Sequence, residues 1–429
     1  MNGPAAKTPP KEPGKRPVTQ ARAAVDAAKF HEAEEPSLAH KILSSGWLMS
    51  LGAMIIAFLI GGILIAAADP DVQKAAGYFF SRPGDLFAEA WNTVARAYTS
   101  LFRGAVFDTT ADTFTRSIRP ITESLTVATP LILAGLAVAL PFKASLFNIG
   151  AQGQIILGAA FAGWVGFTLD LPPVIHMLVA VLAGAIGGGL WGFIPGILRA
   201  KTGAHEVITT IMLNHISVYL LAFLLTTTAF QRPGRADPIS PPVADSALYP
   251  PLFGSSFRLH WGFVLALIMC AAVWWLLYRS TKGFEFRAVG YNANAARTAG
   301  IKVERSYALV MVLAGALAGM AGTAQILGTE KALTSGIDAG FGFDAITVAL
   351  LGRSHPVGVL LAGILFGALR AGGVVMNSRT GTPIDIVLVV QSTIVLLIAA
   401  PPLVRAVFRL PDPDRPRTSR TLAAKEAQA

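Results

Sequence analysis

The chain has 429 residues, 53% of them hydrophobic and 14% charged, with a mean hydropathy of +0.56. A soluble globular domain carries about 25% charged residues, so composition excludes that class. The net charge of +10 does not point to nucleic acid, because the basic residues gather in tails and loops between apolar runs.

Runs near membrane length recur from Trp47 to Phe408, which predicts an all-α polytopic membrane helix bundle; a β-barrel would need alternating strands of about 10 residues. Residues 1–45, rich in Pro, Ala, Lys and Glu, read as a disordered cytoplasmic tail. They are too long and polar for the start of a cleaved signal peptide. Trp47–Ala68 is the first span, running outward. The outer segment 69–120 holds apolar positions at helical spacing (Leu86, Ala90, Val94, Ala97, Leu101), so Leu86–Phe107 is a helix lying on the outer surface or packed on the bundle. Ile121–Leu140 returns inward. Pro141–Gln154 interrupts, and Ile155–Leu169 runs out again. Pro172 and Pro173 mark a turn before Val174–Leu198, whose glycines Gly184–Gly189 read as close helix packing.

Ala204–Ala229 is unusually polar for a span, with Glu206, Thr209, Thr210, Asn214 and His215. A proline-rich outer loop, Phe230–Leu259, leads to His260–Tyr278, a span holding Cys270. As the only cysteine, Cys270 permits neither a disulfide within the chain nor a cysteine metal site. Ser306–Leu327 runs out to a polar turn, Gly328–Gly340. Phe341–Leu351 is too short to cross about 30 Å, so it is a broken or re-entrant span, extended upstream through Ile337. Val357–Met376 and Pro383–Phe408 complete about ten crossings between cytoplasmic ends. The domain reading is a tail at 1–45, a membrane domain at 46–408 and a cytoplasmic tail at 409–429.

The interval Arg279–Arg305 carries six basic residues (Arg279, Lys282, Arg287, Arg297, Lys302, Arg305) against Glu285 and Glu304. That excess places it inside the cell. Its middle, Glu285–Thr298, suits a short helix beneath the membrane, a surface on which a cytoplasmic partner could push. Charge alone favours a plain solvated connector.

Three polar interruptions carry the chemistry. They are Asn148–Gln154, His205–Asn214 with Glu206, and Gly340–Arg353 with Asp344. Irregular backbone and ionisable groups within a membrane line a cavity or meet a partner. Glycines for packing and amides as interhelical glue are the structural alternative, and Asn214 and His215 divide evenly between the two. No Walker A motif, HExxH, nucleophile elbow or histidine cluster is present. The sequence therefore offers no catalytic set, no metal site and no cofactor site.

Five motifs in order resemble one family: Phe147–Gln154 (FNIGAQGQ), Glu206–Asn214 (EVITTIMLN), Arg287–Ile301 (RAVGYNANAARTAGI), Leu313–Gly322 (LAGALAGMAG) and Gly342–Gly352 (GFDAITVALLG). The chain is similar to the inner-membrane permeases of bacterial ABC importers for ribose, nucleosides and branched-chain amino acids, closest to the nucleoside and simple-sugar branch. The resemblance covers Trp47–Phe408, without the tails or the Phe230–Leu259 loop. It implies a type II ABC importer permease fold. It also implies an ATPase subunit, a second homologous permease and an external solute-binding lipoprotein as partners, and ATP hydrolysis on a separate subunit.

The loop 280–303 would then hold the coupling helix, Lys282–Ile301, with Glu285, Arg287, Ala288, Val289, Gly290, Asn292, Ala295 and Ala296 toward the ATPase. Asn148, Gln152, Gln154, Glu206, Thr209, Asn214 and Asp344 would line the path of a polar, uncharged solute. Two departures stand out. The family commonly has Glu at position 152 and Asn at position 205, where this chain has Gln152 and His205. An ion-coupled carrier with broken helices and a membrane enzyme are the alternatives.

Overall fold

The computed structural model describes residues 46–400 and residue 407, and the compact unit Met49–Val404 is the subject below. The expected tails, 1–45 and 409–429, lie outside the described residues. The unit is helical: α1 (Gly46–Ala68), α2 (Pro70–Gly77), α3 (Pro83–Ala105), α4 (Phe114–Phe142), α5 (Ala151–Thr168), α6 (Pro173–Thr202), α7 (Glu206–Leu224), α8 (Gly262–Arg279), α9 (Thr281–Tyr291), α10 (Ala293–Thr298), α11 (Val303–Thr323), α12 (Phe341–Leu351), α13 (Pro356–Thr380) and α14 (Asp385–Ala399). A π-helical turn, Ala324–Glu330, extends α11. Among the described residues the one β-pairing is an isolated bridge, Pro251 to His260.

Seven helices are long and apolar enough to cross a membrane: α1, α4, α6, α7, α8, α11 with its π turn, and α13. The other expected crossings correspond to α5, α12 and α14, of 18, 11 and 15 residues. Helix α4 is buried throughout Ala128–Pro141 and, from Pro130 on, apolar on every side, as a helix stretch enclosed by others must be. The outer faces of α1 (Leu51, Ile55, Leu59, Ile63) and α6 (Val174, Leu178, Leu182, Ile186, Leu190) are exposed and purely apolar, which suits lipid.

The glycine run packs as expected. A Cβ on Gly188 would overlap the Gly315 carbonyl oxygen, and one on Gly315 would overlap that of Gly188. Gly319 meets Gly184 and Gly158 in the same way. Without side chains, α5, α6 and α11 approach backbone to backbone, where dispersion and short contacts replace a hydrophobic force that lipid cannot supply.

Of the two readings of the outer helix, the structure takes packing on the bundle, and two further details differ from the sequence reading. In α3, Gly104 abuts Val375 and the Leu101 carbonyl abuts Gly372, both on α13. Tyr98 of α3 donates its hydroxyl to the Phe58 carbonyl of α1. The short span does not extend upstream as a helix through Ile337. Left-handed backbone at Ala339 (φ 47°) and Gly340 (φ 78°) starts α12 at Phe341, leaving about 16 Å of helix. Finally, the basic loop holds two helices rather than one. Asn292 is extended (φ −159°, ψ 104°) and its Oδ1 accepts from the amides of Asn294 and Ala295, both at 3.0 Å, capping α10.

Candidate functional site

The break between α4 and α5 frees backbone groups that amide side chains then satisfy. Asn148 and Gln154 are buried and face each other. Asn148 Nδ2 donates to Gln154 Oε1 at 2.9 Å, and Gln154 Nε2 donates to Asn148 Oδ1 at 3.2 Å. Asn148 also donates to the Ala137 carbonyl at 3.2 Å and accepts from the Gly150 amide at 3.1 Å. Asn214 reaches in from α7: its Oδ1 accepts from the Gly153 amide at 2.9 Å and its Nδ2 donates to the Ile149 carbonyl at 2.8 Å. Sequence patterning set packing against lining for Asn214; here its amide holds the break.

Glu206 opens α7 and is 5% exposed. Its Oε1 accepts from the Phe147 amide at 3.3 Å, and its Oε2 lies 3.4 Å from Arg199 Nε and 4.0 Å from His205 Nδ1. A buried carboxylate is tolerated when so paired. Thr209 donates its hydroxyl to the Glu206 carbonyl at 3.0 Å. The side chains of Asn148, Gln154, Thr209 and Asn214 and the Oε1 of Glu206 are thus hydrogen-bonded within the chain, whereas the buried Glu206 Oε2 has ion-pair contacts and no hydrogen bond among the described residues.

A second cluster forms where α12 begins. Gln152 Nε2 donates to Asp338 Oδ2 at 3.1 Å, and the Gly340 amide donates to the same oxygen at 3.2 Å. Asp344, in the first turn of α12, pairs with Arg370 of α13 at 3.1 Å. The guanidinium also donates to the Ala339 carbonyl and lies 4.4 Å from the centroid of the Phe341 ring. Gly342 has no room for a side chain because the Gln152 backbone occupies it. The positive end of the α12 dipole, two carboxylates, an amide and a guanidinium therefore meet at one helix start. Gln152, Asp344 and Arg370 are only partly buried. Sequence reading missed Asp338 and Arg370. The signal for Arg370 was present, since a cation inside the apolar run 356–376 demands a counter-charge. Asp338 sat in a stretch read as an outer turn. Among the described residues no group of three or more His, Cys, Asp or Glu is suited to a metal ion.

The basic loop is fastened to the break. Phe286, Val289 and Ala296 are buried, while Phe284, Tyr291 and Ala295 are exposed. Ser145 Oγ donates to the Gly290 carbonyl at 2.6 Å, and a Cβ on Gly290 would overlap the Lys143 carbonyl. Lys282 bridges Glu285 at 2.9 Å, and Arg287 stands 5.5 Å from the centroid of Tyr278. Burial, with Arg287 adding repulsion, pushes the Lys143 ammonium below its usual range. Ala288 packs beside Val289 and Val303.

Residues 121–399 match a family model described as the permease component of branched-chain amino acid transport systems. A guanosine ABC transporter permease of Bacillus subtilis is 38% identical over 82% of this chain and 94% of its own length. A glucose ABC transporter permease of Haloferax volcanii is 38% identical over 65% of this chain and 75% of its own. A nucleoside ABC transporter permease of Lactococcus lactis is 36% identical over 66% and 80%. No solved structure matches the chain. An all-helical bundle with membrane-length apolar helices, backbone breaks closed by amides and a family match over most of that bundle make this chain a multi-pass membrane protein of the ABC transporter permease family.

Proposed function

We propose that the chain forms the path of a polar, uncharged solute, a nucleoside or a simple sugar, through the inner membrane. A separate ATPase drives it through α9 and α10, a second permease completes the path, and an external binding protein supplies the solute. The Lys/Arg excess of the loop supports a cytoplasmic side for α9 and α10, and with it for both termini. The observation that carries the reading is mechanical. The loop is bolted to the break through Ser145 and Gly290. The break is bolted to α7 through Asn214, and to the start of α12 through Gln152 and Asp338. A push on α9 thus has a continuous packed route to the cluster at α12.

That cluster supports the solute class. Carboxylates only accept hydrogen bonds, and a guanidinium only donates, so Asp338, Gln152, Asp344 and Arg370 offer what a hydroxyl-rich solute needs. The names of the relatives, which speak of guanosine, nucleosides and glucose, support the same class. In this reading Gln152 and Asp344 line the path, while Asn148, Gln154, Glu206, Thr209 and Asn214 hold its walls. The coupling face presents Asn292 and Ala295 with the partly exposed Glu285, Arg287 and Ala288, while Val289, Gly290 and Ala296 pack inward and hold α9 and α10 in place.

The test replaces residues 281–298 with a flexible linker and measures uptake of labelled guanosine, ribose and glucose together with ATP hydrolysis. Uptake is expected to vanish for every solute. Normal uptake would sink the coupling mechanism.

A further inference from the structure

At the end of α8 remote from α9, about 27 Å along an 18-residue helix, lies a cavity of about 680 Å³. Small-molecule sites occupy about 300–1,000 Å³. The start of α6, the loop 245–260 and the π turn that ends α11 line it. Such π turns are rare and gather at functional sites.

Part of the lining is aromatic and fixed. Tyr249 and His260 stack with centroids 5.3 Å apart and planes 7° apart. The Tyr249 hydroxyl bonds Thr323 of α11 at 2.8 Å, and the Tyr249 amide donates to the Leu327 carbonyl at 3.0 Å. His260 Nδ1 accepts from the Gly262 amide at 3.1 Å. A Cβ on Gly328 would overlap the His260 ring, so the π turn closes on the pair only because residue 328 lacks a side chain. Pro250, Pro251 and Phe257 add apolar surface.

The rest of the lining is polar and uncommitted. Asp245, Ser255, Thr329 and Lys331 face the same cavity, and none of these side chains has a hydrogen-bond or ion-pair partner among the described residues. Lys331 stands in left-handed backbone (φ 57°), which residues with a Cβ disfavour. Its amide donates to the Ile326 carbonyl at 3.1 Å, and its carbonyl accepts from the Val243 amide at 2.9 Å, so the turn holds it there. Arg258, which also lines the cavity, is engaged by Glu123 at 3.3 Å. The free ammonium and the free carboxylate therefore balance, which suits an uncharged ligand. One only donates hydrogen bonds and the other only accepts them.

We propose that this cavity is a second solute site, a vestibule that holds a nucleoside ahead of the cluster at α12. The base lies on the aromatic and proline surface, and the sugar hydroxyls meet Asp245, Thr329 and Lys331. The segment that carries Lys331 runs on to Asp338 before α12, which ties the vestibule to the cluster. The proposal rests on the importer reading above for the outer position of the cavity and for the solute class.

The assembled transporter in membrane vesicles, without ATP, provides the test. Ser255→Cys is treated with a charged, membrane-impermeant methanethiosulfonate. Ala236→Cys, exposed on the same loop and outside the cavity lining, is the control. The native Cys270 is buried and leaves a low background. Guanosine is expected to slow the reaction at position 255 at least about fivefold, as for a site about four-fifths occupied, and to leave position 236 unchanged. Ribose, which lacks the base, is expected to protect less. In the Ser255→Cys background, Asp245→Asn and Lys331→Met are each expected to raise the guanosine concentration for half protection about tenfold, as for loss of one hydrogen bond to a charged group. Both side chains are exposed and without partners, so a purely structural role would leave that concentration unchanged. Equal rates with and without guanosine, protection by ribose as strong as by guanosine, or an unchanged half-protection concentration in either variant overturns the vestibule. Uptake that ignores ATP depletion, or labelling of position 236 from the cytoplasmic face only, would overturn the importer reading instead, and protection at position 255 would still decide the cavity.

Discussion

Replacing Asn214 with leucine keeps the branched four-atom outline of the side chain and removes both hydrogen-bonding groups. The Gly153 amide and the Ile149 carbonyl, each bonded to Asn214 within 2.9 Å, would then be left without that partner. Asn214 is 2% exposed, so water has no easy access to replace it. An orphaned buried polar group costs about 1–3 kcal/mol, so the pair costs about 2–6 kcal/mol, a large share of the 5–15 kcal/mol that holds a typical fold. Thr209→Ala is the comparison. Its hydroxyl bonds carbonyls of its own helix, so its loss is expected to stay within about 0.5 kcal/mol. Thermal unfolding of the detergent-purified protein reads the difference, and hydrogen exchange across 149–154 reads its location. Asn214→Leu should melt well below Thr209→Ala and lose protection first at the start of α5. Equal melting of the two variants, with Gly153 still protected, would refute the assignment of Asn214 as the clamp on the break.

Arg370→Met strands the partly buried Asp344 carboxylate and is expected to cost about 3 kcal/mol or more, whereas the double variant with Asp344→Asn recovers most of the loss; a double-mutant cycle on unfolding checks the coupling. Gly188→Val forces a side chain into the Gly315 carbonyl and should prevent close approach of α6 and α11, seen as loss of folded protein on size-exclusion chromatography. Hydrogen bonds from Arg379 first, and then from Thr110, hold Asp108 at about 2 against an ordinary 3.8. Its folded value lies below its unfolded one, so the contact stabilises fully above about pH 4 and is lost as the pH falls toward about 2. The melting temperatures of the native chain and Arg379→Ala should therefore differ at pH 6 and converge near pH 2.

Much of the architecture was readable along the chain because a membrane imposes one-dimensional rules. An apolar run must be long enough to cross, basic loops stay inside, and a run of 11 residues cannot span. Those rules located the membrane helices, the short α12 and the basic loop. The repeated glycines of α6 and α11 announced close packing, since backbone contact between helices requires side chains to be missing.

The assignment of the polar residues was another matter. Asn148, Gln152, Gln154 and Asn214 are equivalent amides on paper. Whether an amide closes a backbone break or stays partly free depends on which carbonyl or carboxylate lies within about 3 Å of it, and those partners sit on other helices. Arg370 and Asp344 are 26 residues apart and joined only by the packing of α13 on α12. Asp338 became part of the cluster because left-handed backbone at Ala339 and Gly340 turns the chain there. Sequence alone determined that this protein crosses a membrane many times and where its backbone must break, because solvent sets those requirements residue by residue. Tertiary structure alone decided which polar groups are consumed in closing the breaks and which stay available to a solute, because a hydrogen bond is a matter of position in space.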